Sequence, residues 1–308
     1  MTDVQSEPVP VRIDCGDVAL VGDAFGDPHD PPVVLLHGGG QTRHSWHRTT
    51  TQLGANGWYA VSIDLRGHGE SDWSPDGFYA IDKFAADVRV VARMFSEKPA
   101  LVGASLGGIS SLLAVAEADE PIATALILVD VAPRVEIAGV ERIREFMRSG
   151  ADGFPSLEAA ADAIAAYNPH RARPKDLSGL RKNLRQREDG RWYWHWDPQF
   201  IGSMMSRPME ENADDGPGLD GIPQRRFASV SRLEDAARAI SIPTLLVRGG
   251  SSDLLSEEGA QALLALIPHA RYVDVAGAGH MVAGDANDRF NAAVTGFLAE
   301  EVRPLMRP

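Results

Sequence analysis

Short apolar runs alternate along the chain with longer stretches whose apolar positions recur every three or four residues. Residues 18–25, 33–36, 60–65, 100–104 and 126–131 read as strands. Between them, residues 78–95 carry Phe84, Val88, Val91 and Phe95 on one helical stripe, and residues 106–118 read as a helix rich in Ala and Leu. The alternation resumes late in the chain, with strands at 244–247 and 271–275 and helices at 257–266 and 287–300. Strand and helix in turn predict an α/β fold, a mostly parallel sheet with helices on both faces.

Between the two halves the pattern changes. Residues 134–239 are helical in periodicity, rich in Arg, Asp and Trp, and lack the short β-branched runs of the flanks. The stretch holds a basic segment, RARPKDLSGLRKNLRQRE, and an acidic one, EENADDGPGLDG, which reads as a loop. An insertion here emerges at the carboxyl ends of the strands, where open α/β sheets bind ligands. The expected organisation is a core domain, residues 1–133 and 240–308, carrying an inserted helical cap, residues 134–239, over a pocket. Within the cap, RWYWHWDPQF sets Trp192, Trp194 and Trp196 at alternate positions. In an extended segment these three share one face, opposite Tyr193 and His195. That face either lines a pocket for a bulky apolar substrate or packs a small cap with little core of its own. The basic segment reads as a solvated helix face.

Charge and cysteine content narrow the partners. The 308 residues are 44% apolar and carry a formal net charge of −13, with an isoelectric point near 5.1. Such a surface repels nucleic acid and anionic membranes. The single cysteine, Cys15, allows no intrachain disulfide and fits a reducing cytoplasm. The opening MTDVQSEPVPV has neither the basic nor the apolar region of a signal peptide. No uncharged apolar stretch approaches the roughly 20 residues that cross a bilayer. A soluble cytoplasmic protein acting on a small molecule is expected.

Chemistry enters at LVGASLGG. Gly103, Ser105 and Gly107 fit G-x-S-x-G between a strand and a helix. A chain that turns sharply there strains the serine backbone and exposes its hydroxyl. Side chains two residues to either side would collide, which calls for glycine at both positions. The helix start offers amides and the positive end of its dipole to an oxyanion, with the Leu106 amide immediately after the serine. The serine needs a base, and histidine suits that task near neutral pH. Of nine histidines, His280 is best placed, following a strand through the flexible turn AGAG. His44 and His47 lack carboxylates or thiols at ligand spacing, so no metal site is expected.

The acid that orients His280 has two candidates, both lying between Ser105 and His280. Asp253 sits on RGGSSDLLS, a Gly/Ser loop several residues beyond its strand and able to curl toward the histidine loop. Asp130, in LILVDVAP, sits at or inside a strand end and serves only if the adjacent strand places it well. The loop favours Asp253, with Asp130 the alternative. Ser256 is better placed than Asp253 to cap the following helix.

HGGG (37–40), RGHGES (66–71), GASLGG (103–108), RGGSSD (248–253) and GAGHMV (277–282) stand in one order. It is the order found in α/β-hydrolase fold enzymes, and the chain resembles that family over nearly all its length outside 133–239. The resemblance implies a triad of Ser105, Asp253 and His280, with an oxyanion hole of the Leu106 and Gly39 amides. It also implies a structural role for His68 and no metal or organic cofactor. Gly38 and Gly40 let the backbone approach a substrate closely. Haloalkane dehalogenases and epoxide hydrolases of this fold attack with an aspartate at the elbow. Ser105 in that place implies an acyl-enzyme instead. The expected activity is cleavage of a hydrophobic, moderately bulky carboxylic ester or lactone. A carbon–carbon bond hydrolase, a cofactor-free perhydrolase or a slow-turnover ligand receptor are the alternatives on the same residues.

Overall fold

The computed structural model describes residues 7–168, 173, 175–205, 228–280, 282 and 287–305. The first half runs β1 (Val9–Asp14), β2 (Ala19–Phe25), β3 (Pro32–Leu36), α1 (His47–Ala55), β4 (Tyr59–Ile63), α2 (Ile81–Arg93), β5 (Ala100–Ala104), α3 (Leu106–Ala116) and β6 (Ala125–Val129). Next come α4 (Ile137–Ser149), α5 (Leu157–Tyr167), β7 (Leu184–Gln186), β8 (Trp192–Trp194), α6 (Pro198–Met205) and α7 (Val230–Ala239). The chain then returns with β9 (Thr244–Gly249), α8 (Glu257–Leu266), β10 (Arg271–Val275) and α9 (Asn287–Phe297).

Eight strands form one sheet in the order β1-β2-β4-β3-β5-β6-β9-β10. The first two pairings, β1 with β2 and β2 with β4, are antiparallel, and every pairing from β4 to β10 is parallel. The central strands are buried on both faces. Val34, Leu36, Leu101 and Leu128 enter one core, while Val33, Leu35, Val102 and Val247 enter the other. Two-sided burial is why these strands read as unbroken apolar runs. Phe84, Leu113, Leu233 and Leu263 bring α2, α3, α7 and α8 onto the first core, and Leu53 and Phe290 bring α1 and α9 onto the second. Strand β1 has no counterpart in the apolar pattern, because VPVRID leaves most of its side chains exposed. Pro10 is tolerated there because β1 is an edge strand.

The insert between β6 and β9 differs in two ways from the helical cap expected at 134–239. It contains the antiparallel hairpin β7–β8, whose strands of 3 residues each are too short for an alternating pattern to announce them. Extension along the second strand buries Trp192, Trp194 and Trp196, and leaves Tyr193 and His195 more open. Helix α7 packs on the core: Leu233 and Ala237 are buried with it, and Arg232 bridges to Glu117 and Asp82. It belongs to the helical layer of the sheet although it precedes residue 240. The acidic segment 210–221 lies outside the described residues, as do 171, 172 and 174 of the basic one. Among the described residues no helix is long and apolar enough to cross a membrane.

Candidate active site

Strand β5 ends at Ala104 and α3 begins at Leu106, so the chain reverses direction at a single residue, Ser105. Its backbone takes φ 46° and ψ −113°, a conformation that L-residues rarely adopt. The flanking glycines follow from contact. A Cβ on Gly103 would stand 2.5 Å from the Gly107 carbonyl oxygen, and one on Gly107 would stand 2.4 Å from that of Leu36. A side chain at Gly38 would crowd the serine itself, its Cβ lying 3.3 Å from the Ser105 Cβ.

His280 turns its Nδ1 to Asp130, 2.7 Å from Oδ2. Asp130 follows the last residue of β6 at φ 50° and is fully buried. Its Oδ1 accepts the Gly249 N–H at 2.9 Å, and its Oδ2 also accepts the Ser252 hydroxyl at 2.6 Å. With a buried carboxylate as acceptor, Nδ1 carries the proton and Nε2 is left as the basic nitrogen. Asp253, favoured from sequence for this position, does not reach His280. Its carboxylate accepts from Arg142 of α4 at 2.6 Å, with 37% of the side chain exposed. The loop after β9 curls as expected, but it turns Ser252 inward and Asp253 outward.

The glycine loop after β3 has its amides sorted by hydrogen bonding. Gly38 N–H donates to Gln41 Oε1 at 3.2 Å, and Gly40 N–H to His68 Nε2 at 3.1 Å. Among the described residues, neither the Gly39 N–H nor the Leu106 N–H has an acceptor. Two buried histidines support this loop from below. His37 Nε2 accepts the Leu65 N–H at 3.0 Å, its Nδ1 donates to Gly38 O at 2.8 Å, and His68 Nδ1 donates to Arg66 O at 2.9 Å. Since each Nε2 accepts, both rings are neutral. Burial lowers the His37 imidazole to about 4. Burial, with His37 alongside, lowers His68 to about 3.

Ser105 and His280 open into one cavity of about 590 Å³, together with Gly38, Gly39, Gly40 and Leu106. Its remaining wall is chiefly apolar and includes Ile109, Val140, Ile143 and Leu254. Trp194 and Trp196 line it too, stacked with ring centroids 4.8 Å apart. Trp192 does not. It pairs through its backbone with Phe154, and Arg181 lies over its ring at 4.7 Å. The tryptophan face is thus divided between lining and packing. His44 and His47 do not gather ligands: among the described residues no group of three or more His, Cys, Asp or Glu is arranged for a metal.

Two residues at the site carried no signal in the sequence. Phe200 closes the wall beside the glycine loop, 3.5 Å from where a Gly39 Cβ would be. His68 packs against its ring at 4.6 Å, and Tyr79 anchors the preceding turn by donating to Asp197 at 2.6 Å. Nothing in WDPQF separates it from any core aromatic. Ser252 stood next to the favoured aspartate, where a serine reads as loop.

Strand order, elbow and His–Asp pair together make a recognisable framework. Residues 31–286 match the sequence profile of the alpha/beta hydrolase fold. The chain belongs to the α/β-hydrolase fold family. An esterase of Mycobacterium tuberculosis, Rv0045c, is 30% identical to this α/β-hydrolase over 275 residues, covering 87% of this chain and 83% of the relative. A crystal structure of the same esterase superposes with a TM-score of 0.69 at 29% identity, covering 95% of this chain and 92% of the other. The 3-hydroxybutyrate-oligomer hydrolase of Cupriavidus necator is 27% identical over 265 residues, 83% of this chain and 85% of that one. The crystal structure of E-2-(acetamidomethylene)succinate hydrolase shares the fold of this α/β-hydrolase, with a TM-score of 0.78 over 95% of this chain and 99% of the other at 22% identity.

Proposed function

We propose that this α/β-hydrolase is a serine hydrolase that cleaves a hydrophobic carboxylic ester or lactone through an acyl-enzyme. One observation carries the reading: a serine held at φ 46° opens into the same apolar cavity as a histidine whose Nδ1 is engaged by a buried carboxylate. The family and its named relatives support hydrolysis in general, and two of those relatives, an esterase and an oligomer hydrolase, lean toward esters.

In this reading Ser105 Oγ attacks the ester carbonyl while His280 Nε2 takes its proton. The free amides of Gly39 and Leu106 receive the developing oxyanion at the start of α3. Collapse of the tetrahedral adduct breaks the bond to the leaving alkoxide, which takes the proton from His280. Water then attacks the acyl-Ser105 with His280 again as base, releasing the acid and restoring the serine. Asp130, in place of Asp253, keeps the proton on Nδ1 and stabilises the imidazolium. No step calls on a metal or an organic cofactor. The insert acts as a lid whose Trp194 and Trp196 receive the apolar part of the substrate, which accounts for the chiefly apolar wall.

The test is labelling by a fluorophosphonate probe together with hydrolysis of a graded panel of acyl esters and lactones. Ser105 is expected to take the label, and Ser105→Ala is expected to lose label and turnover, the latter by about 10⁶-fold. Turnover that survives Ser105→Ala would refute the reading.

A further inference from the structure

Ser252 occupies a position with only one role open to its proton. Its Oγ accepts two backbone N–H groups, from Leu254 at 3.1 Å and Leu255 at 3.2 Å. Both lone pairs are thereby used, so the hydroxyl hydrogen is directed to Asp130 Oδ2, 2.6 Å away. That separation is typical of a hydroxyl donating to an ionised carboxylate. The oxygen it reaches is the one facing His280 Nδ1 at 2.7 Å. Ser252 and His280 therefore share a single acceptor atom.

The surrounding turn makes this arrangement rigid. Ser252 N–H donates to Gly249 O at 2.8 Å, Ser251 N–H to Ala278 O at 2.8 Å and Gly250 N–H to Val275 O at 3.0 Å. A Cβ on Gly249 would stand 2.2 Å from Gly279 O, so the loop carrying His280 passes directly over this turn. Other charges nearby are occupied: Asp253 with Arg142 and Arg248 with Asp274. Among the described residues Asp130 forms an ion pair only with His280.

We propose that Ser252 is a positioning residue for the Asp130–His280 pair: its hydroxyl aims Oδ2 at Nδ1 and limits how strongly the carboxylate holds the imidazole proton. The catalytic part rests on the serine-hydrolase reading above; the link from Ser252 to His280 does not. A hydrogen bond to a carboxylate favours its charge and lowers its proton affinity. Without that donor, the carboxylate draws more strongly on the Nδ1 proton and stabilises the imidazolium further. His280 is then harder to deprotonate, and the acid limb of the pH–rate profile moves upward.

The experiment is an NMR titration of the His280 ring, assigned with His280→Asn, in the wild type, Ser252→Ala and Ser252→Thr. Ser252→Ala is expected to raise the titration midpoint by roughly half a unit to one unit, and Ser252→Thr, which keeps the hydroxyl, to restore it. The acid limb of kcat/KM for an ester hydrolysed by the wild type should move by the same amount. An unmoved midpoint in Ser252→Ala, with only a loss of thermal stability, overturns the proposal, as does a threonine variant that behaves like alanine. Failure of the hydrolase reading shows separately, as persistent turnover in Ser105→Ala, while the ring titration still reads the Ser252 link.

Discussion

Asp130 and His280 are 150 positions apart in the chain and 2.7 Å apart in the fold, and the carboxylate between them has no exposed surface. Among the described residues, each hydrogen-bonding partner of its two oxygens is a donor: Gly249 N–H on Oδ1, Ser252 Oγ–H and His280 Nδ1–H on Oδ2. An amide cannot satisfy that set, because its NH₂ faces a donor whichever way it is turned. Turned toward His280, it drives the ring proton to Nε2, where the proposed mechanism needs a base for Ser105.

Asp130→Asn is therefore expected to cut turnover by about 10⁴-fold, the scale of a lost triad acid. Asp253→Asn breaks only a half-exposed pair with Arg142 and should cost less than about 1 kcal/mol of stability, with turnover nearly unchanged. Steady-state kinetics and thermal melts on the two variants decide it. The opposite ranking would return the role to Asp253.

The supporting histidines give the fold an acid weakness. Folded, His37 and His68 titrate at about 4 and about 3, whereas in the unfolded chain they titrate near about 6.5. Both folded values are depressed, so below about 6.5 the unfolded state binds the protons that the folded state refuses. Stability is full above that pH and falls as the pH drops toward 4. Thermal melts should register the fall. His68→Gln keeps an acceptor for the Gly40 N–H and removes one titration, so its melting temperature should fall less than that of the wild type between pH 6.5 and 4. Equal falls would show that His68 is not a source of the acid loss.

Much of this was legible in the residues, and the exceptions have identifiable causes. The elbow at Ser105 and the strands buried on both faces declared themselves through spacing, because glycine placement and apolar runs are local properties. The choice of acid depended on a dihedral angle. LILVDV continues the apolar run through Val131, yet the strand stops at Val129 and Asp130 turns to φ 50°. Aspartate visits that region more readily than most residues, and no periodicity signals when it does. The same holds one loop later, where a single residue of curl exchanged Ser252 for Asp253. Phe200 became a site residue because its segment is tethered at long range, by Tyr79 to Asp197 across 118 positions and by the backbone of Asp197 to Gly67.

Glycines offer a paired test of how tightly the elbow is built. Gly107→Ala places a methyl 2.4 Å from Leu36 O, a backbone atom on β3 that has nowhere to move. It should destabilise by roughly 1–3 kcal/mol and slow labelling of Ser105 by a fluorophosphonate. Gly296 lies inside α9, and a Cβ there meets nothing within 4 Å. Gly296→Ala should raise stability by about 0.5–1 kcal/mol through helix propensity alone and leave labelling unchanged. Equal effects at the two sites would mean that contact at the elbow is not what demands glycine.

Phe200 gives the most direct handle on substrate size. In the proposed acyl transfer the leaving group faces His280, which would protonate it, and the carbonyl oxygen faces the Gly39 and Leu106 amides. The ring of Phe200 stands beside Gly39, and in the proposed pose it is expected to bound the acyl portion of the substrate. Phe200→Ala removes that wall and should shift the preferred acyl group toward longer chains in a series of p-nitrophenyl esters. A matched series of acetates with graded alcohols should keep its order, because the leaving-group side is untouched. The variant will also cost roughly 3–5 kcal/mol of stability, since Phe200 is 1% exposed and sits among His68, Tyr79 and Phe84. Phe200→Leu, which leaves a smaller void, gives a second reading of the same shift. A change confined to the alcohol series would place Phe200 on the leaving-group side instead.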